Sequence, residues 1–267
     1  MRAVIIGAGN IGIALADGLI KSNNCTAGDI TVTRRSLASL SSLREKGFAV
    51  SINNAEAVSN AEIIFLCVLP QQLNAVLNEI RDSVDVQKQL LVSVVTGVHT
   101  SDIREKLAAP DVRVVRAMPN TAMRVNASMT CLSASNATAT DMQLVQQIFN
   151  TLGTTIIINE DMMSAATALC ACGIAFFLRT IRAAAQGGVE IGFHARDAIH
   201  IAAQTALGAA QLLLQNGSHP EEEIDKVTSP KGCTIAGLNE MEHQGLSSAM
   251  IKGIKLSAGI AQELYKK

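Results

Sequence analysis

The chain has 267 residues, and its 22 Lys and Arg nearly balance its 23 Asp and Glu, for a formal net charge of −1 at pH 7. No net field therefore attracts nucleic acid or an acidic membrane surface. Trp is absent and Tyr265 is the single tyrosine, so the aromatic platforms on which bases stack are missing. These features argue against nucleic acid and membranes as partners and favour small molecules or further copies of the chain.

The first predicted elements are a buried strand at residues 3–6, a glycine turn and a helix at residues 11–22. The glycines of the turn have the GxGxxG spacing of a dinucleotide-binding site. In such a site the first glycine allows a tight turn, the second lets the backbone approach a pyrophosphate, and the third lets the helix pack closely on the strand. The start of the helix offers free N–H groups and a positive dipole end to phosphates. A tight turn without a ligand is the alternative. The candidate cofactor-binding residues here are Gly7, Gly9, Asn10, Ile11 and Gly12.

A second strand is predicted at residues 29–33, and Arg34, Arg35 and Ser36 follow it. NAD-preferring sites carry an acidic residue near this point, which binds the ribose 2′-hydroxyl. Two arginines and a serine suit a 2′-phosphate instead, because the planar guanidinium donates paired hydrogen bonds. The sequence therefore indicates NADP (NADPH) as the cofactor, with NADH use possible; a solvated pair of loop arginines is the alternative.

Strands and helices continue to alternate through the first half of the chain, which predicts a parallel sheet covered on both faces. Pro70 is expected to end the strand predicted at residues 63–68. The predicted strands are residues 48–51, 63–68, 90–95, 112–117, 129–133 and 154–158, and the predicted helices are residues 37–46, a short helix after Asn54, and residues 71–81, 101–107 and 138–150.

The strand signal disappears after Asn159, and long helices are predicted at residues 162–188, 195–214 and 247–266. We therefore expect an NADP-binding Rossmann-like domain at residues 1–159 and an all-helical domain at residues 160–267. The helices are apolar on more than one side and need a partner surface, which favours a homo-oligomer built through them. Residues 162–178 carry no charge, but the stretch is short for a membrane span, so a buried helix at a subunit interface is the preferred interpretation.

The six cysteines form no C-x-x-C pair, and several lie in apolar runs where a free thiol packs as a small hydrophobe. The N-terminal apolar stretch is too short for a secretory signal. Together these features predict a reducing compartment and a cytoplasmic protein. The five histidines are scattered without the spacing of a metal helix or a hydrolase, so no metal site is expected.

A second chemically informative stretch is the predicted loop at residues 225–234, which leads into a helix expected to start at Ile235. Its backbone amides, with the hydroxyls of Ser229 and Thr234, suit a small carboxylate. An N-capping turn with incidental hydroxyls fits the residues equally well. There is no lysine between Gly153 and Lys226, which argues against the related hydroxyacid dehydrogenases that use one there.

Along nearly its whole length the sequence resembles the pyrroline-5-carboxylate reductase family, NAD(P)H enzymes that make proline from its cyclic imine. Several motifs in the right order carry the resemblance: the glycine turn, a Met-Pro-Asn-Thr signature and the motifs of a helical domain. In this sequence they are residues 7–12, 118–121, 188–192, 203–210 and 227–230, followed by Gly232 and Thr234.

The resemblance implies an N-terminal doubly wound parallel sheet and a C-terminal all-α dimerisation domain, with the active site built between subunits. It implies hydride transfer from NADPH to the imine carbon of 1-pyrroline-5-carboxylate. It assigns further cofactor contacts to Asn54, to Cys67, Val68, Leu69 and Pro70, to Ser93 through Gly97, and to Asn120. It assigns the substrate pocket to Glu160, Gly232, Cys233 and Thr234, with the Thr234 hydroxyl facing the ring nitrogen as the catalytic group. Ser229, predicted from the loop itself, joins these substrate-binding residues.

Several residues depart from the family pattern. Cys170 and Cys172 replace serines, Lys231 replaces a glycine, Leu69 a frequent lysine and Ala122 a proline. A pocket altered in this way leaves two alternatives open. In the first alternative, the chain reduces another cyclic imine or a keto acid. In the second, it is a noncatalytic NADP-binding regulatory or scaffold protein.

Overall fold

Residues 1–36 and 41–265 are described by a computed structural model, and within them eight strands form one sheet. The strands are β1 (Ala3–Ile6), β2 (Ile30–Thr33), β3 (Ala49–Ser51), β4 (Ile63–Leu66), β5 (Leu90–Ser93), β6 (Arg113–Met118), β7 (Ser128–Ser135) and β8 (Gly153–Ile157). Their order is β3-β2-β1-β4-β5-β6-β7-β8. The direction of winding reverses between β1 and β4, which confirms the doubly wound sheet and marks the edge where ligands bind in such folds.

One strand pair departs from the predicted parallel pairing. β7 runs antiparallel to β6, whereas β7 and β8 are parallel again. The connection between Met118 and Ser128 contains only a short 3-10 turn, Thr121–Val125. Parallel neighbours need a crossover of about a dozen residues or more. The chain therefore folds straight back after β6.

Apolar side chains cover both faces of the sheet. Ile5 and Phe65 belong to the cluster on one face, and Val4, Ile64 and Leu91 belong to the cluster on the other. All five are completely buried. Continuous apolar strands of this kind are typical of sheets with helices on both sides. The packed sheet holds the loops at its carboxyl edge in place.

Helices packed around the sheet begin close to where they were predicted. They are α1 (Asn10–Lys21), α2 (Ser41–Glu45), α3 (Asn54–Ser59), α4 (Pro70–Ile80), α5 (Thr100–Leu107) and α6 (Ala139–Asn150). Residues 37–40 of the helix predicted at 37–46 lie outside the described residues. The prediction that Pro70 ends a strand is wrong. β4 ends at Leu66, and Pro70 is the first residue of α4, where its missing N–H costs no hydrogen bond.

The single helix predicted at residues 162–188 is divided into three parts. A 3-10 turn at Glu160–Met162 leads into α7 (Met163–Ala166), a π-helical stretch at Thr167–Cys172 follows, and then α8 (Gly173–Glu190). The wider π turn changes which side chains face inward. Cys170 is buried in it, whereas Phe177 and Leu178 on α8 are 59% and 58% exposed. Beyond Gly173 most of α8 is exposed on this chain, with Ala185 buried, so the predicted burial of this helix at a subunit interface stays a prediction.

The C-terminal half contains further helices, of which one was missed in the sequence. His219 and Pro220 start that helix, and three glutamates occupy its first turn, which are ordinary N-terminal signals. The predicted loop at 225–234 is accordingly shorter, because helices occupy both of its ends. These elements are α9 (Ala195–Asn216), α10 (Pro220–Lys226), α11 (Cys233–His243) and α12 (Leu246–Glu263).

The chain forms two compact units, one of residues Met1–Cys172 with Lys255–Lys267, and one of residues Gly173–Ile254. The C-terminal segment, predicted to belong to the helical domain, thus packs with the sheet. In the helical unit large apolar side chains are exposed. Leu207, Leu214 and Ile251 are 50%, 85% and 59% exposed. Such faces need a further surface to cover them.

The stretch Glu160–Glu190 is long and apolar enough to cross a membrane by length and composition, and its most apolar 18-residue window has a mean hydropathy of 1.7. One such helix is weak evidence, because helices packed inside proteins outside the membrane have the same composition. The π-helical stretch interrupts it, and its first part belongs to the sheet unit. An oligomer interface accounts for the same apolar surface.

Candidate functional site

The glycine turn between β1 and α1 has the geometry that its spacing predicts. Gly7 has a φ of +112°, and a Cβ added there would lie 2.3 Å from the carbonyl oxygen of Cys67. A Cβ on Gly12 would lie 2.0 Å from the carbonyl oxygen of Gly7. A Cβ on Gly9 meets no atom of residues 1–36 and 41–265 within 4 Å. Two of the glycines are therefore required by the fold, and the third opens space in front of α1.

The residues of this turn fit the pyrophosphate of a dinucleotide. Gly9 is the N-cap of α1 and has no side chain that could bond to the first turn. The N–H groups of Asn10, Ile11 and Gly12 lie in that turn, where an α-helix has no carbonyl partners for them. The open space at Gly9 lies directly before these donors, and the helix dipole favours an anion there.

Two further predicted cofactor segments lie at the same edge of the sheet. The strand register aligns Ile6, Leu66 and Ser93, which are the last residues of β1, β4 and β5. The segments that follow β4 and β5 therefore emerge beside the glycine turn, and Leu69 is 63% exposed there. Burial raises the pKa of the Cys67 thiol, so that this cysteine is neutral. The predicted residues brought together in this way are Cys67, Val68, Leu69, Pro70, Ser93 and Gly97.

Arg34, Arg35 and Ser36 leave the sheet at the carboxyl end of β2 and are exposed. The backbone N–H of Arg34 donates to the carbonyl of Ser51, 3.2 Å away, so β2 and β3 stay paired up to this point. The arginines thus begin from a fixed backbone at the edge that carries the glycine turn.

Asn54, the first residue of α3, is held by two side chains. The hydroxyl of Thr33 donates to its Oδ1 over 2.6 Å, and its Nδ2 donates to Glu79 over 2.8 Å. The backbone N–H of Asn54 also donates to Glu79. The orientation of the amide is therefore set, and among the described residues one N–H of Nδ2 has no protein partner. Glu79 was missed in the sequence, where it is an ordinary charged residue of an amphipathic helix.

Asn120 has protein partners at both ends of its side chain. Its Oδ1 accepts from the N–H of Ala122 over 3.0 Å, and its Nδ2 donates to the carbonyl of Cys170 over 3.3 Å. The residue is 9% exposed. These bonds explain why an asparagine suits the turn after β6, and a contact from Asn120 to the cofactor stays a prediction.

Glu160 lies in a network that joins three elements of the sheet unit. Its carboxylate accepts from the N–H and the hydroxyl of Thr100, each over 2.8 Å, and from Nη1 of Arg116 over 3.2 Å. Nδ1 of His99 lies 3.9 Å away. Burial by itself raises the pKa of Glu160, but the bonds from Thr100 and the charge of Arg116 outweigh it and lower the pKa.

Thr100 and Arg116 were not recognised in the sequence as partners of Glu160. The side chain of Arg116 is only 4% exposed, although arginine is seldom buried without a partner. Burial lowers its pKa, and the neighbouring carboxylate opposes that shift. An arginine within the apolar run of β6 was therefore the signal that a partly buried carboxylate lies opposite.

Cys170 packs as a buried residue. Its Sγ lies 2.8 Å from the carbonyl oxygen of Met129 and 3.2 Å from that of Met118, in a small apolar cluster with Cys131. Cys233 lies in the other compact unit and is exposed, and both are free thiols. These positions support the interpretation of Cys170 as a packing residue.

The loop before α11 is a tight turn in the helical unit. The N–H of Gly232 donates to the carbonyl of Ser229 over 3.0 Å, and a Cβ on Gly232 would lie 2.4 Å from the Ser229 hydroxyl oxygen. Gly232 caps α11 without a side chain. The helix starts at Cys233, not at the predicted Ile235, so Cys233 and Thr234 lie in its first turn. Their N–H groups are available to an anion.

Lys231 has a φ of +58°, the left-handed conformation that favours glycine, and its side chain is exposed. We expect Lys231→Gly to raise the free energy of unfolding by about 1 kcal/mol, because the strain of a left-handed L-residue is removed. Urea unfolding measures the change. Lys231→Ala keeps the Cβ and is expected to give no such gain; equal gains from both variants would contradict the prediction.

Two family profiles match separate parts of the chain. Residues 160–264 match the profile described as "Pyrroline-5-carboxylate reductase dimerisation". Residues 2–97 match the profile described as "NADP oxidoreductase coenzyme F420-dependent". The second match covers the glycine turn and the segments that follow β2 and β4.

Relatives named pyrroline-5-carboxylate reductase align with nearly the whole chain. Pyrroline-5-carboxylate reductase 2 of Dictyostelium discoideum is 47% identical over 270 residues, covering 95% of this chain and 90% of the relative. The Methanosarcina acetivorans protein is 37% identical, covering 98% and 97%. Pyrroline-5-carboxylate reductase 1 of D. discoideum is 51% identical over 98% of this chain, which spans 49% of that relative's length.

Solved structures have the same fold. The pyrroline-5-carboxylate reductase of Coxiella burnetii has a TM-score of 0.90 at 30% identity, covering all of this chain and 99% of that one. The Plasmodium falciparum pyrroline carboxylate reductase, solved with NADP bound, has a TM-score of 0.90 at 23% identity, covering 99% and 98%. Fold, site geometry and sequence agree, and the chain belongs to the pyrroline-5-carboxylate reductase family.

Proposed function

We propose that this chain reduces 1-pyrroline-5-carboxylate to L-proline by NADPH-dependent hydride transfer to the imine carbon. The observation that carries the proposal is the turn from Gly7 to Gly12, which presents open space and free N–H groups at the switch point of the sheet. The chain's membership of the reductase family supports the choice of substrate.

NADPH, when bound, supplies the hydride. The chain's contribution is binding and orientation. The first turn of α1 holds the pyrophosphate, and Arg34, Arg35 and Ser36 bind the 2′-phosphate. Asn54 offers its remaining N–H nearby. The segments after β4 and β5 line the cofactor and exclude water on that side.

The substrate carboxylate binds at the N-terminus of α11, where Cys233 and Thr234 present N–H groups and Ser229 presents a hydroxyl. The tight turn at Gly232 brings that hydroxyl close to the helix start. The Thr234 hydroxyl orients the ring nitrogen and assists its protonation. A protonated imine already attracts hydride, so a dedicated general acid is not required.

The active form is a homo-oligomer assembled through the C-terminal helices. The dimerisation profile covers residues 160–264, and exposed apolar side chains such as Phe177, Leu214 and Ile251 lie within it. By the family resemblance, the cofactor domain of one subunit and the helices of another together form the site. Free cysteines support a reducing compartment, which is taken to be the cytoplasm.

The test follows NADPH absorbance with purified protein and 1-pyrroline-5-carboxylate, with proline identified as the product. Rapid oxidation of NADPH with stoichiometric proline is expected. NADPH binding without turnover on this imine would contradict the proposal. In that case, other cyclic imines and keto acids are tried next, because Lys231 alters the turn that precedes the substrate site. Lack of turnover on all of them would favour the noncatalytic alternative.

A further inference from the structure

The loop between β5 and α5, residues 94–99, is held firmly at its start. It contains the segment that the family resemblance assigns to the cofactor. Val95 and Val98 are 2% and 0% exposed, and the N–H of Val95 donates to the hydroxyl of Ser93 over 3.3 Å. Gly97 has a φ of +76°, and a Cβ there would lie 2.8 Å from the carbonyl oxygen of Ala261. The C-terminal segment thus packs directly on this loop.

The other end of the loop is held by Glu160. Its carboxylate accepts both donors of Thr100, the first residue of α5, at 2.8 Å each. A carboxylate at a helix N-terminus is stabilised by the helix dipole. Arg116 fixes the same carboxylate from β6. Glu160 therefore holds the start of α5, and with it the end of the loop, together with Asp102, whose carboxylate accepts from the N–H of His99 over 2.9 Å.

Three of the roughly four acceptor positions of the Glu160 carboxylate are taken, which leaves at most one, on Oε2, for a substrate. Thr100 and Arg116 occupy Oε1, the hydroxyl of Thr100 occupies Oε2, and the side chain is 24% exposed. Its negative charge is offset by the buried guanidinium. These contacts hold the helix that follows the cofactor loop.

We propose that Glu160 is a positioning residue for the dinucleotide, acting through Thr100 on the loop 94–99, and not a substrate ligand. The inference rests on the proposed function, because it takes NADPH as the cofactor of this loop. When a loop is already held in place, no free energy is lost in ordering it as the cofactor binds. Without the bonds to Glu160, the loop has to be ordered when NADPH binds, and the free-energy cost of that ordering raises the Kd for NADPH.

The test measures NADPH binding by fluorescence titration of the full chain in the absence of imine. Glu160→Gln keeps the shape of the side chain and removes its charge. We expect it to raise the Kd for NADPH about tenfold, the loss that one charge-assisted hydrogen bond explains. The KM for 1-pyrroline-5-carboxylate is expected to stay unchanged. Thr100→Val, which removes only the hydroxyl donor, is the second variant and is expected to shift the same constant in the same direction.

Asp141 provides a matched control in the same unit. Its carboxylate accepts from the N–H and hydroxyl of Thr138 and from Nη1 of Arg113, each over 2.8 Å. The chemistry is that of Glu160, but the helix it caps is α6, away from the loop 94–99. Asp141→Asn is expected to lower thermal stability as Glu160→Gln does and to leave the Kd for NADPH unchanged.

The outcomes separate this inference from the proposed function. Wild-type protein that fails to bind NADPH contradicts the proposed function. Wild-type binding together with unchanged NADPH affinity in Glu160→Gln and Thr100→Val overturns the positioning role. A raised KM for the imine with unchanged NADPH affinity would restore Glu160 to the substrate pocket. An equal loss of NADPH affinity in Asp141→Asn would show that lower stability alone weakens NADPH binding, and this outcome would also overturn the positioning role.

Discussion

Gly9→Ala is expected to weaken NADPH binding about ten- to a hundredfold, because the added methyl group occupies the space before α1 that the pyrophosphate needs. The protein itself should tolerate the change. Gly9 has a φ of −87°, which any residue adopts, and in the part of the chain that the structure describes an added Cβ meets no atom within 4 Å. Fluorescence titration measures the affinity, and thermal unfolding is expected to match that of the wild type.

Gly12→Ala is the matched comparison, since it adds the same methyl group to the same turn. There the Cβ would lie 2.0 Å from the carbonyl oxygen of Gly7 and 3.1 Å from Cγ2 of Ile5. We expect a loss of at least about 3 kcal/mol in the free energy of unfolding, because backbone and strand must move apart. Similar stability of the Gly9 and Gly12 variants would contradict the different roles assigned to these glycines.

Replacing Arg34 and Arg35 together by alanine is expected to raise the Kd for NADPH about a hundredfold. The Kd for NADH should change by less than about threefold, because NADH has no 2′-phosphate for the guanidinium groups to bind. Both affinities are measured by titration, and the ratio of turnover with the two cofactors is measured with the imine.

Arg2→Ala is the control for the loss of positive charge. Arg2 is exposed and precedes β1 at the opposite edge of the sheet, beside Glu62. The Arg2→Ala variant is expected to leave the Kd for NADPH and the Kd for NADH unchanged. An unchanged Kd for NADPH in the double variant would show that the arginines are solvated loop residues, and an equal loss of NADPH and NADH would indicate damage to the loop.

Local patterns were sufficient for most of the sheet unit. The apolar runs of β1 and β4 and the glycine spacing between β1 and α1 predict a strand, a turn and a helix without knowledge of any distant residue. Pro70 was misassigned because proline both ends strands and starts helices, and only the position of Leu66 as the last strand residue distinguishes the two.

The candidate site was predicted less completely than the fold. Residues of one motif, such as Gly7 and Gly12, are close in the sequence, so their spacing carries the geometry. Glu160 and Thr100 are separated by 60 residues, and Asn54 and Glu79 by 25. No local pattern records such pairs, and the buried position of Arg116 was the nearest signal available.

The alternation of strands and helices, the dinucleotide turn and the family can be recognised without a structure, because periodicity, turn residues and motif spacing are local properties of the chain. The folded chain was needed to see that β7 runs antiparallel, that the C-terminal segment packs at Gly97, and that Glu160 is bound to Thr100. These features depend on which distant groups meet in the folded chain. A buried charge needs a partner wherever one lies, and side-chain identity alone does not name it.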